Sequence, residues 1–185
     1  REAERLSRIT ENLLRLTRLD SGVVQQPYPV AVGPVLERVE RMLTMVAQEK
    51  GVTVSGAADE DAVALATDDD VHQILYNLME NAIKYSAAEG GFVRAEAHVD
   101  GDKVVLTVSD NGIGIPNEDL PHIFDRFYRV DKMRSREVGG TGLGLSIVKD
   151  TIENQGGTIS AGHGANGVGT VFTVYLPLAE RGEEA

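Results

Sequence analysis

Residues 92–109 carry the strongest constraint on the fold. Two strand-like runs, 92–99 and 103–109, are joined by Asp100-Gly101-Asp102. The second run alternates into Asp110, the pattern of a half-buried strand. Asp-Gly between two such runs signals a tight hairpin. The chain therefore holds an antiparallel strand pair, and that pair has one face to bury.

The cover comes from helical stretches. Helices are expected over 33–49, 68–86 and 142–155, with shorter strands over 52–55, 62–66, 157–161 and 168–176. Residues 2–21 read as a further helix. In it Leu6, Ile9, Leu13 and Leu16 form a heptad seam that Leu19 continues, and Glu11 stands four before Arg15. So narrow a stripe on a terminal helix fits half of an antiparallel bundle or dimer stem better than a helix packed on its own domain. Residues 25–32, with two prolines, read as an extended connector. Residues 111–141 lack clear periodicity, and 181–185 read as a frayed tail. Helices and hairpin-linked strands are segregated more than alternated. The expected fold is α+β: a two-layer sandwich with helices on one face of a mixed, mostly antiparallel sheet, plus the N-terminal helix.

The totals exclude several functions. A formal net charge of −11 argues against a general nucleic-acid binder, because phosphate neutralisation needs Lys and Arg in excess. Without cysteine there is no disulfide and no thiolate metal site. No apolar run approaches the ~20 residues that span a bilayer, and no signal peptide is visible. Arg1 stands in a helix already under way, so the chain is expected to be part of something longer.

Four stretches carry chemistry. In the helix "ILYNLMENAIKYS" (74–86), Leu75, Leu78, Met79 and Ala82 share one face. Asn77, Glu80, Asn81 and Lys84 share the other, with Tyr85 at its edge. A plain solvent face would use Glu, Lys or Arg, which are better helix formers than Asn. Neutral amide oxygens suit Mg²⁺ when substrate phosphates supply the anionic ligands. "DNGIGIP" (110–116) is a β-turn signal, yet no alternating partner strand follows it at once. A carboxylate at a strand end, with Gly112 and Gly114 letting backbone come close, can accept a hydrogen bond from the exocyclic amine of adenine. Guanine offers no amine at that edge. Residues 126–136 carry Arg126, Arg129, Lys132, Arg134 and Arg136 against Asp131 alone. This basic island suits a small polyanion such as polyphosphate better than a salt-bridged surface loop or a duplex. "GGTGLGLSIV" (139–148) is neither a P-loop nor a dinucleotide fingerprint. It leads glycines into a helix N-terminus, where free N–H groups and the helix dipole favour anions.

In this order the four stretches resemble a known family. "NLMENAIKY", "DNGIGIP", "IFDRFYR" (123–129) and "GGTGLGLSIV" are similar to the N, G1, F and G2 boxes of bacterial two-component sensor histidine kinases. These boxes belong to the ATP-binding catalytic domain, one of the wider set of ATPases that includes Hsp90 and type II topoisomerases. "GVGTVFTVYLP" (167–177) looks like the closing glycine motif and final strand. "RLSRITENLLRLTRLDSG" (5–22) resembles the second helix of the dimerisation domain.

The resemblance implies a Bergerat-type ATP-binding fold over 33–180, preceded by a dimerisation helix over 1–24. It implies ATP and Mg²⁺, with Asn81 as metal ligand and Asn77 and Lys84 approaching phosphate. Tyr85 would lie against the base. Asp110 would read the adenine amine, with Gly112 and Gly114 beside it and Thr170 supporting that end. Arg129 would approach the outer phosphates, and Gly140, Gly142, Leu143 and Gly144 would flank them. Asn77, Lys84 and Arg129 would carry the catalysis. The implied partners are a phosphoacceptor histidine, a response regulator and a second copy in the full-length protein. The implied place is the cytoplasmic side of a membrane-anchored sensor.

The chain departs from the family at the acceptor. His72, His98, His122 and His163 all lack the family's setting for it, so the acceptor is expected upstream of Arg1. Two alternatives stand beside the kinase: an ATP hydrolase of the same superfamily, and a non-catalytic nucleotide-binding interaction module. The hydrolases carry a glutamate base one turn before the metal-binding asparagine. Here that position is Asn77, which favours transfer.

Overall fold

The computed structural model describes Ile9 and residues 26–86, 89–128 and 144–180. Strand β1 (Tyr28–Ala31) runs directly into helix α1 (Val32–Glu49). Val32, Val35, Leu36, Val39, Leu43 and Ala47 recur at helical spacing on α1 and are buried. Pro34 is tolerated because it stands in the first turn. Past the end of α1, the Val52 N–H closes back on the Ala47 carbonyl at 2.9 Å.

Strands β2 (Thr53–Ala58) and β3 (Val63–Ala66) follow, then helix α2 (Asp68–Lys84). The Thr67 hydroxyl caps α2 by accepting the Asp70 N–H at 3.2 Å. Asp68, Asp69 and Asp70 in its first turn and Lys84 in its last both complement the helix dipole. Its buried face is Val71, Ile74, Leu75, Leu78, Met79, Ala82 and Ile83.

The hairpin arrives as expected, as β4 (Phe92–Asp100) and β5 (Lys103–Asp110). Helix α3 (Gly144–Asn154), β6 (Thr158–His163) and β7 (Thr170–Pro177) complete the fold. Five strands lie in the order β2-β4-β5-β7-β6. Only β2 and β4 run parallel; the other pairings are antiparallel. Val93, Ala95 and Ala97 alternate inward from β4, Val104, Leu106 and Val108 from β5, and Phe172, Val174 and Leu176 from β7. With the apolar faces of α1, α2 and α3 they form one core. The observed fold is thus three helices on one face of a mixed, mostly antiparallel sheet, the expected sandwich. No helix among the described residues is long and apolar enough to cross a membrane.

One segment differs from its sequence reading. Tyr28–Ala31, inside the stretch read as a connector, form β1 and pair antiparallel with β3. Proline favours the extended backbone, but the partner strand lies beyond α1, so the pairing leaves no local trace. Leu178 bridges to Ala64 on the same small sheet. The Tyr28 hydroxyl accepts the Asp68 N–H at 3.0 Å, tying β1 to the start of α2.

Candidate functional site

The C-terminal end of α2, at Tyr85, and the turn after β5 meet at one end of the sheet. Asp110 ends β5 and is only 5% exposed. Its Oδ1 accepts the Gly112 N–H at 2.8 Å. The Thr170 N–H, at the head of β7, also donates to this carboxylate. Burial pushes the Asp110 pKa above the ordinary carboxylate value; the two N–H groups pull it down, and burial prevails.

The turn itself is packed against backbone. The Ile113 N–H donates to the Tyr85 carbonyl at 3.1 Å. A Cβ on Gly112 would stand 1.8 Å from that same oxygen. Gly169 takes φ +74, and a Cβ there would stand 1.9 Å from the Asp110 carbonyl oxygen. Only glycine allows both approaches. Gly114 lies alongside, facing Gly169.

The sequence reading missed Asn111. Its Oδ1 accepts the Phe92 N–H and its Nδ2 donates to the Gly90 carbonyl, both at 2.9 Å. One amide thus hangs the turn on the loop between α2 and β4. The only local signal was the "DNG" triplet, which says turn and nothing about its partner. Asn111→Ala should lower stability by about 1–2 kcal/mol for the two bonds, a fall of roughly 2–8 °C in Tm. A thermal melt measures it, and an unchanged Tm would show that the clamp holds nothing.

On α2, Asn77, Glu80, Asn81 and Lys84 are half-buried, and Tyr85 caps the helix. The Asn77 Nδ2 is buried and has no hydrogen-bond partner among the described residues. An orphaned buried donor costs stability unless a ligand or water meets it.

Gln155, just past α3, donates to Asp70 in the first turn of α2 at 2.5 Å. This bond joins the C-terminal end of α3 to the first turn of α2, and Gly144 is the first residue of α3. Ile123 is buried and Phe124 meets Phe172 edge-on, with ring centroids 6.3 Å apart. Arg126 reaches Asp150 on α3 at 3.7 Å. Arg129, Gly140, Gly142 and Leu143 lie outside the described residues.

His163 is the one histidine beside the Asp110 end, where it pairs with Thr170 across β6 and β7 and its ring Nε2 lies 2.6 Å from Asn117 Oδ1. His72 accepts from Arg38 Nε at 3.3 Å and stacks on Tyr76. His98, His122 and His163 are exposed.

Residues 66–180, more than half of the chain, match the family described as histidine kinase-, DNA gyrase B-, and HSP90-like ATPase. The chain belongs to this family. Sensor histidine kinase WalK of Bacillus subtilis is 37% identical over 186 residues, covering 99% of this chain and 30% of the relative. Sensor histidine kinase RppB of Synechocystis is 32% identical over 180 residues, covering 96% of this chain and 39% of the relative. The chain spans about a third of the length of these curated relatives. Among solved structures, full-length ShkA in complex with AMPPNP superposes with a TM-score of 0.81 at 30% identity, covering 97% of this chain and 37% of that one. The catalytic domain of histidine kinase ThkA gives 0.72 at 25% identity, covering 83% of this chain and 97% of that one. The family expected from the four motifs is the family found. In this histidine kinase-, gyrase- and HSP90-like ATPase, the Asp110 turn is docked on the C-terminal end of the asparagine-bearing helix α2, the two coming from segments on either side of β4.

Proposed function

We propose that this chain binds Mg·ATP as the catalytic module of a sensor histidine kinase. In this reading the γ-phosphoryl group passes to a histidine on the dimerisation domain, for relay to a response-regulator aspartate. Asp110 carries the reading. A buried carboxylate held by two backbone N–H groups is acceptor-only when ionised. It matches the exocyclic amine of adenine and not the carbonyl that guanine presents at the same edge. The AMPPNP bound by ShkA, a structural neighbour, supports it.

The remaining residues take roles consistent with their chemistry. The orphaned Asn77 Nδ2 donates to a phosphate oxygen, and Lys84 adds a cation. No group of three His, Asp or Glu among the described residues could grip a metal. A metal here therefore needs phosphate oxygens as its main ligands, which is the habit of Mg²⁺. Asn81 would hold it, and the bound ion would neutralise phosphate charge. Tyr85 lies against the base. Gly112, Gly114 and Thr170 shape the Asp110 end. Arg129 approaches the outer phosphates, and Gly140, Gly142, Leu143 and Gly144 flank them. The rate enhancement comes from positioning and charge stabilisation.

The same reading assigns residues 1–24 to the second dimerisation helix and 33–180 to the ATP-binding domain, to which β1 and Val32, within the stretch read as a connector, are joined through β3 and the core. It makes the full-length protein a homodimer that works on the cytoplasmic side of a membrane. The test is incubation with Mg·ATP labelled at the γ-phosphate, with and without a separately prepared histidine-bearing dimerisation hairpin. Acid-labile label on the hairpin, with little free phosphate, is the expected result. Steady phosphate release without the hairpin would replace the kinase with a hydrolase.

A further inference from the structure

Glu80 lies on the same face of α2 as Asn77, Asn81 and Lys84, yet the proposed reaction gives it no task. Its Oε1 is 3.4 Å from Lys84 Nζ. The two side chains are only 16% and 25% exposed, so solvent screens them less than a surface pair. Glu four residues ahead of Lys is also the favourable orientation along a helix. The Lys84 carbonyl, at the helix end, accepts a hydrogen bond from Lys50 Nζ at 3.2 Å, which fixes the backbone beneath this pair.

Two consequences follow from that geometry. The cation expected to meet phosphate is already matched by a carboxylate. The carboxylate also stands on the face that the phosphates approach, where like charge disfavours them. Lys84 is a flexible point charge with three rotating donors, so its Nζ can exchange one anion for another by side-chain rotation alone.

We infer that Glu80 is a positioning residue that holds Lys84 as an internal substitute for phosphate, and that nucleotide binds by taking Lys84 from it. This rests on the Mg·ATP reading above. Glu80 thereby weakens nucleotide binding, and a site that must release product on each turn benefits from such a competitor. The residue touches no reacting atom, because it acts through Lys84.

A double-mutant cycle tests this. Dissociation constants for Mg·ATP are measured by calorimetry on the intact chain, Glu80→Gln, Lys84→Met and the double variant. Melts without nucleotide check that each is folded, and Glu80→Ala replaces Glu80→Gln if that variant is not. Glu80→Gln should tighten binding about three- to tenfold, in the lower part of the range of coupling between neighbouring groups. In the Lys84→Met background the gain should shrink at least about threefold, since no pair remains to be broken. An equal gain in both backgrounds would mean plain repulsion and would overturn the positioning role. Unchanged or weaker binding by Glu80→Gln would overturn it as well. The unmodified chain separates the two claims: if it fails to bind Mg·ATP, the nucleotide reading fails, and this inference fails with it. If it binds, only the variants decide.

Discussion

Asp110→Asn should weaken Mg·ATP binding by about ten- to a hundredfold while leaving the fold at least as stable at neutral pH. The first half follows from the partner chemistry. An amine needs an acceptor, and a hydrogen bond to a charged group is worth about 1.5–3 kcal/mol. Asparagine keeps one oxygen for the Gly112 N–H but turns a donor toward the site. The second half follows from the sign of the pKa shift. Burial raises the folded-state pKa of Asp110, so the folded chain holds this proton more tightly than the unfolded chain. Stability from this group is therefore present below the unfolded value, about 3.9, and is lost as pH rises through the raised folded value. At neutral pH the native carboxylate carries that loss, and the amide does not. Nucleotide binding runs the other way, because the ionised form is acceptor-only and takes the amine in a stronger, charge-assisted hydrogen bond. Binding by the unmodified chain should fade as pH falls through the raised pKa, sooner than for an ordinary carboxylate. Calorimetry across pH, paired with melts of both proteins, reads all three effects. Equal affinity in the two proteins would remove Asp110 from nucleotide recognition.

The parts of this fold that were legible in the sequence are those whose cause is local. The 92–109 hairpin announces itself through alternation and Asp-Gly. The two faces of α2 follow from helical spacing, and the buried set includes Leu75, Leu78, Met79 and Ala82. Three other features depend on residues far apart in the chain. β1 needs β3 and then Leu178. Helix α2 stops at Lys84, short of Ser86, with Tyr85 as a cap whose carbonyl takes the Ile113 N–H from the turn after β5. Asn111 reads as a turn residue, but its amide reaches some twenty residues upstream, donating to the Gly90 carbonyl and accepting the Phe92 N–H. Among the site residues, the pairing of Glu80 with Lys84 was open to sequence spacing, since i, i+4 pairs meet on a helix. The backbone approach at Gly169 was not, because its partner is the carbonyl of Asp110 across the β5–β7 pair.

Gly112→Ala should do what Asp110→Asn does not: lose binding and stability together. The added Cβ would stand 1.8 Å from the Tyr85 carbonyl oxygen, 2.7 Å from its carbon and 2.9 Å from Asp110 Oδ1. Two of these are backbone atoms, so no side-chain rotation relieves the clash. Either the turn lifts from the end of α2 or that end shifts. The first course breaks the Ile113 to Tyr85 bond, and both move the carboxylate relative to Asn81 and Lys84. Forced overpacking costs about 3 kcal/mol at the upper end of its usual range, which predicts a fall of roughly 6–12 °C in Tm. Gly101→Ala is the matched control. Gly101 has φ +61, but its Cβ would meet nothing within 4 Å, far from the site in the β4–β5 turn. It should lose about 1–2 kcal/mol from the left-handed backbone alone and keep its affinity for Mg·ATP. If Gly112→Ala binds as well as Gly101→Ala, the close approach of the turn to α2 is not what holds the site together.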